Sequence, residues 1–596
     1  MLFPTLSFAA FFALVLPVSW LLMPNRVRWR LFMVAASWLF YGAADWRFVP
    51  LLAGSTVANH YFARRIHRAT GPARRAWTAV AVAINLLVLA WFKYIGFLSL
   101  TLQSSLRFVG LHAHAPLPEV LLPIGISFFT FQALSYVIDT SRGKIHPVSL
   151  LEFAVYLSFF PHLVAGPIVR ATEFLPQIRE RISPRHVDVG KAFWLVSLGL
   201  FKKVVIASYL ATYAADPLFG FPHQHAGVEA LFGVYAYAIQ IYADFSGYTD
   251  IAIGLALLLG IQFPQNFNAP YSAATLQDFW RRWHMTLSRW LRDYLYIPLG
   301  GSRRGRLRTY LNIMITMLLG GLWHGAAWTF VAWGALHGLG LVVERWRGEA
   351  PARMVADPPD VGKGAAAAPA SPPPPPVPVA VRSTARRPKV VTVARGEVTA
   401  TGTMATAAAP ADVARPNGST TGAAIWAEGA DKAGLITEAR AGRAGAGQVG
   451  PVSEGGALPV GTATAPGPGP SGPAAGPAVR AGLSPRTRLW MGRLVTFHVV
   501  CLAWVFFRAT SFHNALEVLG RIATFGGRHH PFNWKVAAVI VASLAVQVGP
   551  RGLGGRLQAL FSRCSFLLQA FILAGALTAI DLLGPAGVAP FIYFRF

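Results

Sequence analysis

Charge is scarce in this sequence, and acidic charge is scarcest. Only 13% of the 596 residues are Asp, Glu, Lys or Arg, against 54% hydrophobic residues; a soluble domain carries about 25% charge. So few charged groups do not cover a globular surface. With a mean hydropathy of +0.45, the class is an all-α polytopic membrane protein. The 25 acidic residues face 53 basic ones, a net charge of +28. In a soluble chain that imbalance would suggest a nucleic-acid partner. Here the arginines lie in short loops between apolar runs, as in Arg26-Val27-Arg28-Trp29-Arg30, Arg64-Arg65 and Arg303-Arg304-Gly305-Arg306. That is the pattern of the positive-inside rule, so no nucleic acid is expected and the bilayer is. Cysteine is nearly absent: Cys501 and Cys564 make no metal or redox spacing, and a disulfide between them has no support. No P-loop, dinucleotide-binding glycine motif, serine nucleophile elbow or His-Glu-x-x-His zinc pattern stands in a credible context. No bound cofactor and no metal are expected.

What is there is a series of apolar runs. Residues 3–22 have no basic segment before them, so they read as a retained first span rather than a cleaved signal. The basic flank Arg26 to Arg30 predicts the N-terminus outside and that flank in the cytoplasm. Further runs lie at 31–62 (one or two passes), 77–100, 119–138, 150–168, 191–213, 228–260 (two passes or a re-entrant pair), 308–322, 325–344, 488–508, 534–549 and 565–583. The total is about 11 crossings, the shorter runs being re-entrant or broken helices that a bilayer tolerates when they are buried in protein or line water. Residues 1–347 and 486–596 thus form the membrane domain. Between them, 348–485 is rich in Pro, Ala and Gly, with an unbroken proline run from Pro372 to Pro376. Such a segment cannot bury enough apolar surface to offset its ordering entropy. It reads as a disordered insertion or as a docking tether, and its flanks Arg345, Arg347, Arg486 and Arg488 favour the cytoplasm.

Four patches carry chemistry. The first is His324, in Leu322-Trp323-His324-Gly325 within an apolar run. An imidazole in hydrocarbon is expensive and faces a cavity, a partner or a reaction. Gly320, Gly321 and Gly325 around it allow close helix approach, or leave room for a ligand. The imidazole is accordingly either hydrogen-bonded in a helix crossing or a general base in a tunnel. The second is 276–301, where Trp280, His284 and Ser288 fall one helical turn apart and share a face. Arg281, Arg282, Arg289 and Arg292 make it an amphipathic, basic helix near the cytoplasmic interface: an anchor, or the cationic wall of a site for an anionic donor. The third runs from Gln240 through Tyr242, Asp244 and Ser246 to Asp250, where the acids read as caps of broken helices supporting a site. The fourth is Pro161-His162 to Gly166-Pro167-Ile168, a span terminus with an interfacial histidine. His60, His337 and His498 are isolated and receive no role.

These patches, in this order, resemble the membrane-bound O-acyltransferase family, and within it the bacterial branch of the alginate O-acetyltransferase membrane subunit and the teichoic acid D-alanyltransferase. The resemblance rests on Gly125 to Gln132 with Tyr136 and Asp139, Gly166-Pro167-Ile168, Tyr242 to Gly254, Trp280 to Gly301, Leu322 to Gly325 and Phe591 to Phe596. The chain departs from the family at His162 and Arg595, where glutamine is usual, and in the length of 348–485. The resemblance implies a ring of helices around a central tunnel, with His324 as the essential histidine and His284 as its second polar position. Trp280, Arg281, Ser288, Trp323, Asp244 and Tyr242 are then the residues expected to line or support the tunnel. It implies a donor thioester, acetyl-CoA or an acyl carrier protein, and a polysaccharide acceptor such as alginate. It also implies an extracytoplasmic acetyltransferase partner of the SGNH-hydrolase type and a multi-pass location in the bacterial inner membrane. On the residues alone, a proton-coupled transporter remains the alternative, since broken helices and midplane polar residues suit it too.

Overall fold

The computed structural model describes residues 3–111, 120–180, 184, 187–348, 484–525, 533–550 and 552–585. The predicted insertion therefore lies outside the described residues except at its edges, as do Arg595 and the patch at 591–596. Among the described residues all regular structure is helical. The chain opens with α1 (Leu6–Leu22), α2 (Arg26–Asp45), α3 (Val49–Arg68) and α4 (Gly71–Phe108), so the apolar run at 31–62 is two helices. α5 (Ile126–Ser141) follows. α6 (Leu150–Ser158) starts on a capping box made by Ser149 and Glu152. It stops after nine residues, and the chain through Pro161 and Gly166-Pro167 turns inward instead of completing a crossing.

The pair α7 (Val189–Gly220) and α8 (Gly227–Leu258) corrects one expectation. The run at 228–260 is neither two passes nor a re-entrant pair but one unbroken helix of 32 residues. Its glycines admit a neighbour rather than a turn. A Cβ added at Gly247 would stand 2.7 Å from the carbonyl oxygen of Gly199 on α7, and one at Gly199 would stand 2.5 Å from that of Gly247. The two backbones touch, as small residues permit in membranes. The acids that suggested broken ends are instead ion-paired to α7: Asp244 with Lys203, and Asp250 with Lys202 at 2.7 Å.

The site-bearing elements follow: α9 (Leu276–Trp280), α10 (Met285–Leu291), α11 (Arg306–His324) and α12 (Trp328–Trp346). After the insertion come α13 (Pro485–Arg508), α14 (Phe512–Thr524), α15 (Trp534–Val548), α16 (Leu553–Arg563) and α17 (Phe566–Leu583). By length and composition α4, α7 and α13 can cross a bilayer. α11 and α12, at 19 residues each, reach about 28 Å. Both bury polar side chains, Asn312, Thr316 and His324 on α11 and His337 on α12. α5 and α8 bury residues nearly all round, and Phe131 of α5 stacks on Trp290 of α10 and Trp323 of α11.

Candidate active site

His324 is the last residue of α11 and is 3% exposed. Its neighbouring glycines do not leave space for a ligand, the second of the two sequence readings. A Cβ at Gly321 would stand 2.2 Å from the carbonyl oxygen of Phe330, and one at Gly325 2.0 Å from the Phe330 ring. On the facing helix a Cβ at Gly334 would stand 2.4 Å from the carbonyl oxygen of Met317. Glycine here brings α11 and α12 into backbone contact and so fixes where α11 ends. That end exposes carbonyls with no partner inside the helix. α4 supplies the donors. The Lys93 ammonium donates to the carbonyls of Trp323 at 2.5 Å and His324 at 3.2 Å, and the Tyr94 hydroxyl to that of Leu322 at 2.9 Å. A cation is also what the negative end of a helix dipole favours.

His284 is reached by a different route. The expectation of a continuous helix with Trp280, His284 and Ser288 on one face is overturned. His284 adopts φ 41° and ψ 55° and separates α9 from α10. The left-handed region costs a side-chain-bearing residue about 1–2 kcal/mol, and a hydrogen-bond network opposes that cost. Asn266 accepts on its side-chain oxygen from the Thr286 backbone N–H at 3.2 Å and the Thr286 hydroxyl at 2.9 Å, and its backbone carbonyl accepts from the Met285 N–H at 2.9 Å. The His284 Nδ1 is 3.2 Å from the same side-chain oxygen. That atom is an acceptor to Thr286, so Nδ1 carries the hydrogen and Nε2 the lone pair. Nε2 is buried with no hydrogen-bond partner. The Thr286 hydroxyl in turn accepts from the Ile168 N–H at 3.0 Å, which ties the Gly166-Pro167-Ile168 patch to this histidine.

The segment is not an interfacial anchor either. Trp280, Trp283, Leu287 and Trp290 are all buried. Trp290 stacks on Phe131 at 3.7 Å and donates its indole N–H to the Phe131 carbonyl at 3.0 Å. His162 is likewise buried rather than interfacial, with Nε2 2.9 Å from the Tyr156 carbonyl oxygen and a ring stacked on Phe263 at 5.3 Å, because the chain between Pro161 and Pro167 folds into the core.

The two histidines meet. Their ring centroids are 6.4 Å apart, walled by Trp323 (6.1 Å from His284, 5.0 Å from His324), Phe245 (4.7 Å from His284), and Trp333 and Phe507 (5.0 and 5.3 Å from His324). Of the sequence candidates, Trp323 joins this centre directly. Trp280 stands behind it against Trp333 at 5.7 Å, and Tyr242 is a further layer out, against Trp283 at 6.4 Å. Ser288 closes the break by donating to the Trp283 carbonyl at 3.4 Å. Asp244 pairs with Lys203 on α7 instead of capping a broken helix end. Arg281 has no ion-pair partner among the described residues.

Sequence comparison then decides what this constellation belongs to. Residues 61–349, which hold both histidines, match the MBOAT, membrane-bound O-acyltransferase family. The chain is 43% identical over 357 residues to the probable alginate O-acetylase AlgI of Pseudomonas aeruginosa, covering 58% of this chain and 67% of that one. The chain belongs to the membrane-bound O-acyltransferase family. It is also 39% identical over 348 residues to the peptidoglycan O-acetyltransferase of Helicobacter pylori, covering 53% of this chain and 64% of the relative. Identity to the teichoic acid D-alanyltransferase of Streptococcus thermophilus is 30% over 236 residues, 37% and 56% of the two chains. The protein is thus a multi-pass membrane O-acyltransferase.

In this acyltransferase several residues at the centre escaped the sequence reading. Lys93 is a lone cation inside the apolar run at 77–100, a signal that an averaged hydropathy window hides. Asn266 sits in a polar loop with nothing local to mark it. His337, isolated in the sequence, contacts Trp333 at 4.9 Å and Trp280 at 5.2 Å; only the packing of α9 against α12 reveals that.

Proposed function

We propose that this acyltransferase passes an acetyl group from a cytoplasmic thioester donor, acetyl-CoA or an acyl carrier protein thioester, to an acceptor hydroxyl across the membrane, for O-acetylation of an exported polysaccharide such as alginate or another envelope polymer. The observation that carries the reading is the meeting of two buried histidines at 6.4 Å. His324 acts as general base: it takes the proton of the acceptor hydroxyl, the oxygen attacks the thioester carbonyl, the C–S bond breaks, and the departing thiolate receives the proton. His284 positions. Its Nδ1–H is committed to Asn266, so its Nε2 is an acceptor for a hydroxyl or amide N–H rather than a donor to a carbonyl. Trp323, Trp333 and Phe507 exclude water around the transfer. Acetyl is preferred to D-alanyl because the O-acetylating relatives are 43% and 39% identical against 30% for the D-alanyl one. An extracytoplasmic acetyltransferase of the SGNH-hydrolase type completes delivery to the polymer.

The test is His324→Ala in native membranes, read as polymer acetylation. Loss of a general base lowers the rate by about 10²–10⁴-fold. Undiminished transfer by a folded variant removes the reading.

A further inference from the structure

Two ion pairs between apolar helices have no part in the reaction just described. Lys202 and Lys203 are adjacent in the apolar run at 191–213 and pair with two acids on α8. Lys203 meets Asp244, both side chains buried, and Lys202 meets Asp250 at 2.7 Å, both side chains mostly buried. Ionisable groups inside a membrane helix are expensive, and a buried ion pair repays little of its desolvation as stability. Well-packed apolar residues in their place would hold the two helices together as firmly. What a pair of opposite charges adds is a defined register.

α7 and α8 need that definition. Their backbones touch through Gly199 and Gly247. A contact without interdigitating side chains brings helices close, but does not fix how far one slides or turns against the other. The lysines stand at this contact: a Cβ added at Gly247 would lie 3.1 Å from the Lys202 Cβ and 3.1 Å from the Lys203 backbone nitrogen. The acids flank it, Asp244 before Gly247 and Asp250 after, about 9 Å apart along the α8 axis. From beside Gly247, adjacent lysines therefore reach carboxylates on opposite sides of it. Phe201 to Ala207 are wound as a π-helix, a widening of the turn that is frequent at functional sites.

What this clamp holds is the wall behind His284. Phe245, next to Asp244, meets the His284 ring at 4.7 Å and Phe267 at 5.1 Å. Tyr242, with the Lys202 ammonium 5.7 Å above its ring, meets Phe267 at 6.0 Å and Trp283 at 6.4 Å. Phe267 follows Asn266, the acceptor of the His284 Nδ1–H, and Trp283 precedes His284. We propose that the Lys203–Asp244 and Lys202–Asp250 pairs are positioning pairs for the transfer reaction. They fix the register of α8 on α7, so that Tyr242 and Phe245 hold His284 against Asn266. The inference rests on the role given to His284 above.

The test separates register from stability. Lys203→Met or Asp244→Leu alone leaves a buried charge without the opposite charge that neutralises it, so each single variant should lose thermal stability and transfer together. Lys203→Met/Asp244→Leu leaves neither charge behind and should regain the parent melting temperature or exceed it. Its transfer, read as polymer acetylation in native membranes, should nevertheless stay about 10–10²-fold down, the cost of misplacing a group by up to about 1 Å. Nitrogen NMR of labelled histidine supplies a second readout. The His284 signals, identified by their loss in His284→Gln, should report one Nδ1–H tautomer in the parent and a mixture in the double variant. Recovery of transfer along with stability in the double variant overturns the proposal and leaves the ion pairs as packing contacts. An unchanged His284 tautomer in that variant overturns it as well. Full transfer by folded His284→Gln would instead remove the role of His284, and with it the reading on which the inference rests, whatever the ion-pair variants do.

Discussion

The two histidines arrive at one place by opposite means. His324 ends a regular helix whose position is set by volume: Gly321, Gly325 and Gly334 let α11 and α12 touch, and Lys93 and Tyr94 close the last turn. His284 interrupts a helix, in a backbone conformation unfavourable to its side chain, and the break is held by hydrogen bonds that Asn266 accepts from His284 and Thr286. The difference teaches what each side is sensitive to. A packed helix end tolerates loss of a hydrogen bond but not an added methyl. A strained break tolerates changes of volume but not loss of the polar groups that hold it.

The sharpest test of the packed side is Gly321→Ala. The new methyl would have to displace the Phe330 carbonyl, which belongs to a helix backbone and cannot rotate away. Overpacking of this kind costs about 1–3 kcal/mol, and a shift of about 1 Å in His324 costs about 10²-fold in rate. The expected result is a folded protein, lowered in melting temperature, with transfer reduced by about that factor although both histidines are present. Full activity would show that His324 is placed by something other than helix contact. For the strained side, His284→Gly and His284→Ala form a pair. Both lose the imidazole and should lose transfer equally. Only alanine keeps the steric penalty at positive φ, so it should be about 1 kcal/mol less stable than glycine. Equal melting curves would mean the break carries no strain at this residue.

This contrast also explains what was legible in the sequence. His324 announced itself by its cost, and the apolar runs located α1, α4 and α11 to α13 closely because hydrophobic length is a local property. The break at His284 was invisible. The spacing of Trp280, His284 and Ser288 mimics a helix face, and the force that overrides it comes from Asn266, in a different part of the chain. The glycines of α11 left two readings open, close helix approach or room for a ligand, for a related reason. Sequence shows that bulk is absent, but not whether the space is left open, turned or filled by a neighbour, and here it is filled. Asp244 and Asp250 suggested a hairpin because their partners, Lys203 and Lys202, belong to another helix.

Smaller effects probe the hydrogen bonds on each side. Lys93→Met keeps an unbranched side chain but removes the donor to the Trp323 and His324 carbonyls. Unsatisfied buried acceptors cost about 1–3 kcal/mol, so melting should fall measurably. Transfer should fall only a few-fold, because helix contact still places His324. A loss as large as that of Gly321→Ala would reverse the assignment of volume as the controlling factor there.

Thr286→Val is the mildest change and the most discriminating within the break. It removes the hydroxyl that accepts from Ile168 and donates to Asn266 while nearly preserving shape. The Thr286 backbone N–H and His284 Nδ1 still reach the Asn266 oxygen, so the tautomer of His284 and the direction of its Nε2 persist. The cost is then that of the orphaned Ile168 N–H, about 1–3 kcal/mol, read in thermal stability with transfer close to the parent value. Asn266→Ala is the contrasting change. It strips the acceptor from Thr286 and from His284 together, frees the imidazole to take either tautomer, and should lower transfer more than it lowers stability. If Thr286→Val depressed transfer as strongly as Asn266→Ala, the hydroxyl rather than the tautomer lock would be what orients His284, and the Gly166-Pro167-Ile168 patch would share in placing it through the Ile168 N–H.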